Sequence, residues 1–369
     1  MSLSVMRYNY PQQFGPSFDR LIGEIGEQIR EGRYILTADV TQFEKLFAKY
    51  LSIDEVVGLN SGTDALIIGM MALGIGAGDE VITQANTFYA TVAAICFVGA
   101  KPVLVDADPS TFLMDVSQVK AVITRNTRAI LPVHMYGACT PMDGIMRLAD
   151  QYRLNVLEDA AQSHGASFRG QRAGTFGDVG CFSFHPSKNL AAAGDAGACS
   201  TRNGDLATRM RIIRGLGQRT QNEHVALGLN SKLDAIQAKV LSWKLPLLDA
   251  WNEARAKVAD LYKEQLADLP VSFQETPEES THVYHLFQVK TDHRDALLKH
   301  LTEAGIDAVI RYPQPVHCQK AFSSQNWKPG QFPVAEDLAA NTLCLPIRPD
   351  MVEDETQAVV RSIRQFFGA

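Results

Sequence analysis

The sequence predicts an α/β chain in which a large unit with a mostly parallel sheet, flanked by helices, precedes a smaller α+β unit. Three observations predict it. Short β-prone runs alternate with helical patterns from residue 55 to residue 158, the rhythm of βαβ units. The chain has 369 residues, more than one small core accommodates. Past a long helical region containing Pro246 that alternation stops, which places the large unit at 1–245 and the small one at 246–369.

Residues 17–31 set Leu21, Ile22, Ile25 and Ile29 at helical spacing, with Gly32 as a stop. Thr41 and Glu44 form a capping-box pattern ahead of Phe43, Leu46 and Phe47. Strands are expected over 55–59, 80–84, 102–105, 129–133 and 155–158, and helices over 63–71, 90–98, 117–123 and 142–152. A helix is expected over 206–214, then a helical region over 233–266 that Pro246 bends or splits. Beyond it come a strand at 284–290, a helix at 296–304 and a strand at 308–311. A proline-rich loop at 313–333 precedes helices at 334–342 and 351–367.

Composition narrows the function. The net charge is -6 and no run of five basic residues occurs, which argues against a nucleic-acid binder. The six cysteines form no CxxC pair, so neither a metal site nor a disulfide framework is suggested; reduced thiols in a cytoplasm are the simplest expectation. Residues 1–10 lack the apolar core of a signal peptide, and no apolar stretch is long enough for a bilayer.

The stretch with most chemistry is Cys181-Phe182-Ser183-Phe184-His185-Pro186-Ser187-Lys188, followed by the small-residue segment Ala191–Gly197. Lys188 reads either as a surface lysine or as a desolvated amine able to form a Schiff base. Other segments bear on the choice. Asn60-Ser61-Gly62-Thr63 joins a strand to a helix, where free N–H groups suit a phosphate or Ser61 or Thr63 caps the helix. Asp159 ends a strand, where open parallel sheets hold ligands; a carboxylate there can pair with a protonated pyridine nitrogen, or simply cap a helix. Phe88 follows a strand and is either a stacking ring or a core side chain. His134 is more simply a hydrogen-bonded structural histidine, and His185 lies near Lys188 without an evident base partner.

Taken in order, these segments resemble the pyridoxal phosphate (PLP)-dependent sugar aminotransferases of the DegT/StrS family. The markers are Asn60–Leu66, Gly78–Ile82, Glu158–Ser163, Ser183–Leu190, Gly194–Gly197, Asn230–Asp234 and Phe332–Glu336. The resemblance implies the fold-type-I PLP transferase fold. It implies Lys188 as the Schiff-base lysine and proton shuttle, Asp159 as the pyridinium partner, Gln162 near the ring hydroxyl and Phe88 on the ring. Gly62, Thr63 and Ser183 would hold the phosphate, with Asn230 reaching it from the second subunit of a homodimer. His134, Arg219 and His317 are the candidate substrate contacts.

The expected reaction moves an amino group from L-glutamate to a keto group of a dTDP- or UDP-linked sugar. Tyr312-Pro313-Gln314-Pro315-Val316-His317 resembles the 3-aminotransferases, so a 3-keto sugar is favoured over a 4-keto one. The chain departs from the family at Gly215-Leu216-Gly217, Gln221-Asn222-Glu223 and Arg311-Tyr312-Pro313, in the parts that recognise nucleotide and sugar. Rival readings are a dehydratase relative, which would carry His in place of Lys188, and a non-catalytic ligand-binding regulator. A dinucleotide-binding dehydrogenase would need its glycines after a strand, whereas Gly74, Gly76 and Gly78 follow a helical pattern.

Overall fold

The computed structural model describes residues 4–369, apart from the side chains of residues 11, 16 and 17; residues 1–3, the head of the stretch read above for a signal peptide, lie outside it. A seven-stranded sheet organises the larger part. Its strands are β1 (Glu55–Leu59), β2 (Glu80–Gln84), β3 (Lys101–Val105), β4 (Thr127–Leu131), β5 (Asn155–Asp159), β6 (Val179–Ser183) and β7 (Gly197–Thr201), in the spatial order β1-β7-β6-β5-β4-β2-β3. The pairs from β6 through β3 are parallel, while β7 runs antiparallel to both β6 and β1. Mostly parallel strands need crossovers, and the helices α3 (Gly62–Ala72), α4 (Tyr89–Phe97), α5 (Val116–Val122) and α6 (Met142–Tyr152) supply them. Both faces of the sheet are covered, so β2 is buried at every residue.

The helices α1 (Phe18–Arg30) and α2 (Ala38–Leu51) precede the sheet, and α7 (Gly204–Arg214) follows it. The capping box expected at Thr41 does not form: α2 starts at Ala38 with Thr37 in the cap position. Glu44 turns inward instead. Its Oε1 accepts from Gly58 N at 2.8 Å and lies 2.6 Å from Arg214 Nη1, because a buried guanidinium and an unfilled strand N–H both require an acceptor.

Pro246 splits the long helical region as expected. The helix α8 (Ala235–Lys244) ends in a 3₁₀ turn over Leu245–Leu247 and α9 (Leu248–Gln265) continues, since proline has no N–H and its ring clashes one turn back. The strands β8 (Ser272–Phe273), β9 (Phe287–Lys290) and β10 (Thr342–Leu345) make a separate antiparallel sheet. It packs with α9, α10 (Arg294–Glu303) and α12 (Glu353–Phe367) around Tyr262, Phe287, Leu301 and Ile363, while α11 (Pro333–Asn341) leads into β10.

Two expectations fail here. Residues 308–311 form no strand; only Val309 bridges Cys344, after which the chain turns into a cleft. The helix expected to run through Thr342 ends at Asn341, and β10 follows at once; a short Leu-Cys-Leu run has no period that separates strand from helix. No helix among the described residues is long and apolar enough to cross a membrane. All six cysteines are free thiols, and Sγ of Cys181 and of Cys199 both donate to Ala65 O.

Candidate active site

The carboxyl ends of β1, β2, β5 and β6 open into a cleft of about 1000 Å³, the position that open parallel sheets offer to ligands. Gly62, Thr63, Phe88, Asp159, Gln162, Ser183 and Lys188 all line it. Seven residues spread over 127 positions of sequence thus meet in one cavity.

At one end of the cleft α3 begins. Ser61 caps it, its Oγ accepting from Asp64 N at 3.1 Å, so the helix cap and the free N–H groups of Gly62 and Thr63 coexist. The turn is pressed against its neighbours. A Cβ on Gly62 would stand 2.5 Å from Ser183 Cβ, and one on Gly197 would stand 2.2 Å from Ser61 O. Only glycine permits these approaches, and the result is a cup of backbone donors with the Ser183 hydroxyl at its edge. Ser231 pins the cup from behind: its Oγ accepts from Asn60 N and donates to Asp64 Oδ2 at 2.6 Å.

Asp159 ends β5 and is 5 % exposed. Its Oδ2 accepts from Thr91 Oγ1 at 2.8 Å and its Oδ1 from Ala161 N at 3.2 Å. Burial raises its pKa, opposed by those two donors and by the charges of Lys188 and His134. No ion pair reaches it among the described residues, so a buried anion faces the cleft without a contacting cation.

Lys188 lies in the turn after β6, its N–H bonded to His185 O at 2.8 Å. The protein around its amine displaces water and lowers its pKa from 10.5 to about 8; Asp159 works against that shift and Arg311 adds to it. Lys188 is half-buried in the cleft wall, which accords with the desolvated amine more than with a surface lysine. Phe88, at the cap position of α4, keeps 47 % of its surface exposed and is no core side chain; its ring centroid lies 5.2 Å from that of Tyr312. Gln162 is fixed by its Oε1, which accepts from Tyr136 N at 2.9 Å, leaving its Nε2 3.5 Å from the Tyr312 hydroxyl.

The remaining candidates fall elsewhere. His134 is fully buried, its Nε2 3.0 Å from Glu158 Oε2 while its Nδ1 accepts from Thr140 N at 3.0 Å. Both ring nitrogens are committed, so the expected substrate contact is corrected to a structural histidine. His317 is corrected likewise: it is buried and its Nε2 lies 2.9 Å from Glu336 Oε1, away from the cleft lining. Arg219 is exposed on the two-stranded ribbon of Gln218–Thr220 and Glu223–His224, beside Glu223. Asn230 is exposed outside this chain's own cleft, and its Oδ1 accepts from Lys232 Nζ at 2.6 Å.

The structure also sets His285, Arg311 and Tyr312 in the cleft wall. Sequence reasoning placed Arg311 and Tyr312 only among the parts that recognise nucleotide and sugar, and His285 carried no signal in the sequence. His285 is buried and its pKa is pushed down, first by burial and then by the charges of Lys188, Arg255 and Arg311.

These side chains fit PLP. An amine of lowered pKa suits an aldehyde, and the unpaired buried carboxylate suits a protonated ring nitrogen. The glycine-tight cup suits a phosphate, and the uncovered ring of Phe88 suits a flat heterocycle.

Comparison with known proteins agrees with this geometry. A family model described as the DegT/DnrJ/EryC1/StrS aminotransferase family matches residues 19–364. A dTDP-3-amino-3,4,6-trideoxy-alpha-D-glucose transaminase of Streptomyces venezuelae is 41% identical over 93% of this chain and 90% of its own. A protein of Geobacillus stearothermophilus named a pleiotropic regulatory protein is 41% identical over 96% of both chains. Among solved structures, S. venezuelae DesV in complex with a ketimine intermediate superposes with a TM-score of 0.97 at 39% identity, covering 100% of both chains.

Proposed function

The chain belongs to the DegT/DnrJ/EryC1/StrS aminotransferase family, and from that membership we propose that it is a PLP-dependent aminotransferase acting on a nucleotide-linked keto sugar. The amino group comes from L-glutamate and goes to the keto carbon of a dTDP- or UDP-linked 3-keto sugar. The observation that carries this reading is the pairing, in one cleft, of a lysine amine at about 8 with a buried carboxylate that has no ion-pair partner.

When bound, PLP supplies an aldehyde that accepts an amino group and a ring that holds the electron pair left on the substrate carbon. The chain's residues do the rest. Near neutral pH a fraction of Lys188 is unprotonated, so its amine could take up and give back the proton that the transfer moves. Asp159 would hold a proton on the ring nitrogen. Gly62 N–H, Thr63 N–H and the Ser183 hydroxyl would bind the phosphate, Gln162 would direct its amide toward the ring hydroxyl, and Phe88 would cover one ring face.

The proposal includes a homodimer in which Asn230 of one copy reaches the phosphate site of the other and Arg219 approaches the other's substrate. The ribbon bearing Arg219 is flanked by exposed Leu216, Val225 and Leu227, apolar surface of the kind a partner copy covers. It also takes residues 1–245 as the cofactor-holding unit and 246–369 as the unit that lends Arg311 and Tyr312 to the cleft. A cytoplasmic setting accords with the free thiols.

The name of the Streptomyces relative favours carbon 3; a 4-keto sugar is the alternative. The Geobacillus relative's name favours a regulator of the same fold, for which turnover machinery would be superfluous. The test is spectral. PLP-loaded protein should be yellow, lose the band on adding L-glutamate and regain it on adding the nucleotide-linked 3-keto sugar. Protein that takes up no PLP ends the proposal, and uptake without any response to glutamate leaves the regulator.

A further inference from the structure

Lys188 is a wall common to two cavities. The second lies between the stretch Arg7–Gln13, the turn at Ser187–Ala191, the start of α9 and the loop Arg348–Asp350. Three guanidinium groups line it, and their partners differ. Arg7 Nε lies 3.0 Å from Asp307 Oδ1. Arg348 Nε lies 3.3 Å from Asp350 Oδ1, and its Nη2 bonds Glu355. Arg255 has no carboxylate partner among the described residues.

Arg255 is 7 % exposed. Its Nη1 donates to Ile347 O at 2.8 Å and to Tyr284 O at 3.3 Å, while its Nε is buried without an acceptor. Asp350 acts on it only at longer range and is engaged by Asn9 and Arg348. A guanidinium does not shed its proton, so this is a buried positive charge with no anion against it, a costly arrangement. A cation without an anion asks for a ligand with a carboxylate, and an amino-acid donor carries one.

We propose that this second cavity binds a carboxylate of the amino donor, with Arg255 as the residue that reads it. The inference rests on the donor half of the proposed function. It assigns Arg255 a role in specificity, since a donor without a carboxylate would gain nothing from it. Arg7 and Arg348, already neutralised, frame the cavity rather than drive binding.

The experiment uses PLP-loaded protein mixed rapidly with L-glutamate, following loss of the visible band. Arg255→Met should raise the half-saturating glutamate concentration by about tenfold or more while PLP affinity stays within about twofold. Arg255→Lys or added guanidinium chloride should restore part of the loss. An unchanged half-saturation overturns the inference, as does a joint loss of PLP and glutamate binding, which marks Arg255 as a structural tie. If the Arg255 variants do not fold, the unsubstituted protein decides. Trp251 lines the cavity, so glutarate should change tryptophan fluorescence saturably, and Trp251→Phe should remove that signal. No saturable response overturns the inference. Failure of the donor reading itself appears differently: the unsubstituted enzyme keeps its visible band with every amino acid tried, whatever glutarate does.

Discussion

Thr91 donates its hydroxyl hydrogen to Asp159 Oδ2 over 2.8 Å, tying the first turn of α4 to the last residue of β5. That bond and the Ala161 N–H orient a carboxylate that burial would otherwise push toward its neutral form. Asp159→Asn cannot hold a ring proton by charge. It should slow the glutamate-dependent loss of the visible band by about a hundredfold or more, and Thr91→Val by about tenfold. A normal rate in Asp159→Asn would remove this residue from the mechanism.

The lowered pKa of Lys188 makes a statement about stability. Its folded value of about 8 lies below the usual 10.5, so between those values the unfolded chain binds the extra proton. The cost of burying the charged amine is therefore full below pH 8 and is relieved as pH rises toward 10.5. Cofactor-free Lys188→Met should gain roughly 1–3 kcal/mol at pH 7, a range discounted for the side of the lysine open to the cleft. The gain should fade by pH 10.5, as read from urea midpoints; an equal gain at both pH values would contradict a buried charge.

Gly62 and Gly197 leave no room for a methyl group, with contacts of 2.5 Å to Ser183 Cβ and 2.2 Å to Ser61 O. Gly62→Ala should weaken PLP binding by about tenfold or more, because a forced shift of about 1–3 kcal/mol falls on the cup itself. Titration with PLP measures it, with circular dichroism to show that the fold is kept. Tight binding by Gly62→Ala would mean that the phosphate sits elsewhere.

Glu158 and His134 form a buried unit beneath the cleft. Glu158 accepts from Gly174 N, Phe176 N and Gly177 N at 2.7, 2.7 and 2.8 Å, besides pairing with His134. Glu158→Ala should cost roughly 3–5 kcal/mol by orphaning these donors, and His134→Leu roughly 1–3 kcal/mol. Urea unfolding checks both. The half-saturating substrate concentrations of His134→Leu should not move; a raised value for the sugar would return His134 to the substrate site.

Much of this protein could be read locally. Alternation of strand and helix through Asp159 gave the parallel core, with boundaries within a residue or two, because each element buries its own apolar face. Gly62, Asp159 and Lys188 stood at element ends, where turn chemistry and strand termini are visible in a short window. His317 belonged to a motif that resembled the 3-aminotransferases, and a single chain's packing decides whether a histidine meets a cleft or a glutamate. The strand β7 runs against its neighbours, and no five-residue segment reports the direction of its partners.

The sequence by itself determined the strand and helix alternation through Asp159, the break at Pro246 and the segment that carries Lys188, since backbone propensity and motif spacing act over a few residues. Tertiary structure alone decided what surrounds that lysine. Arg311, Tyr312 and Arg255 arrive from 67 to 124 positions away, brought by the packing of a second sheet and α9 against the first. Desolvation and charge depend on distance in space, so the lowered pKa of Lys188 and the unpaired state of Arg255 exist only once the chain has folded.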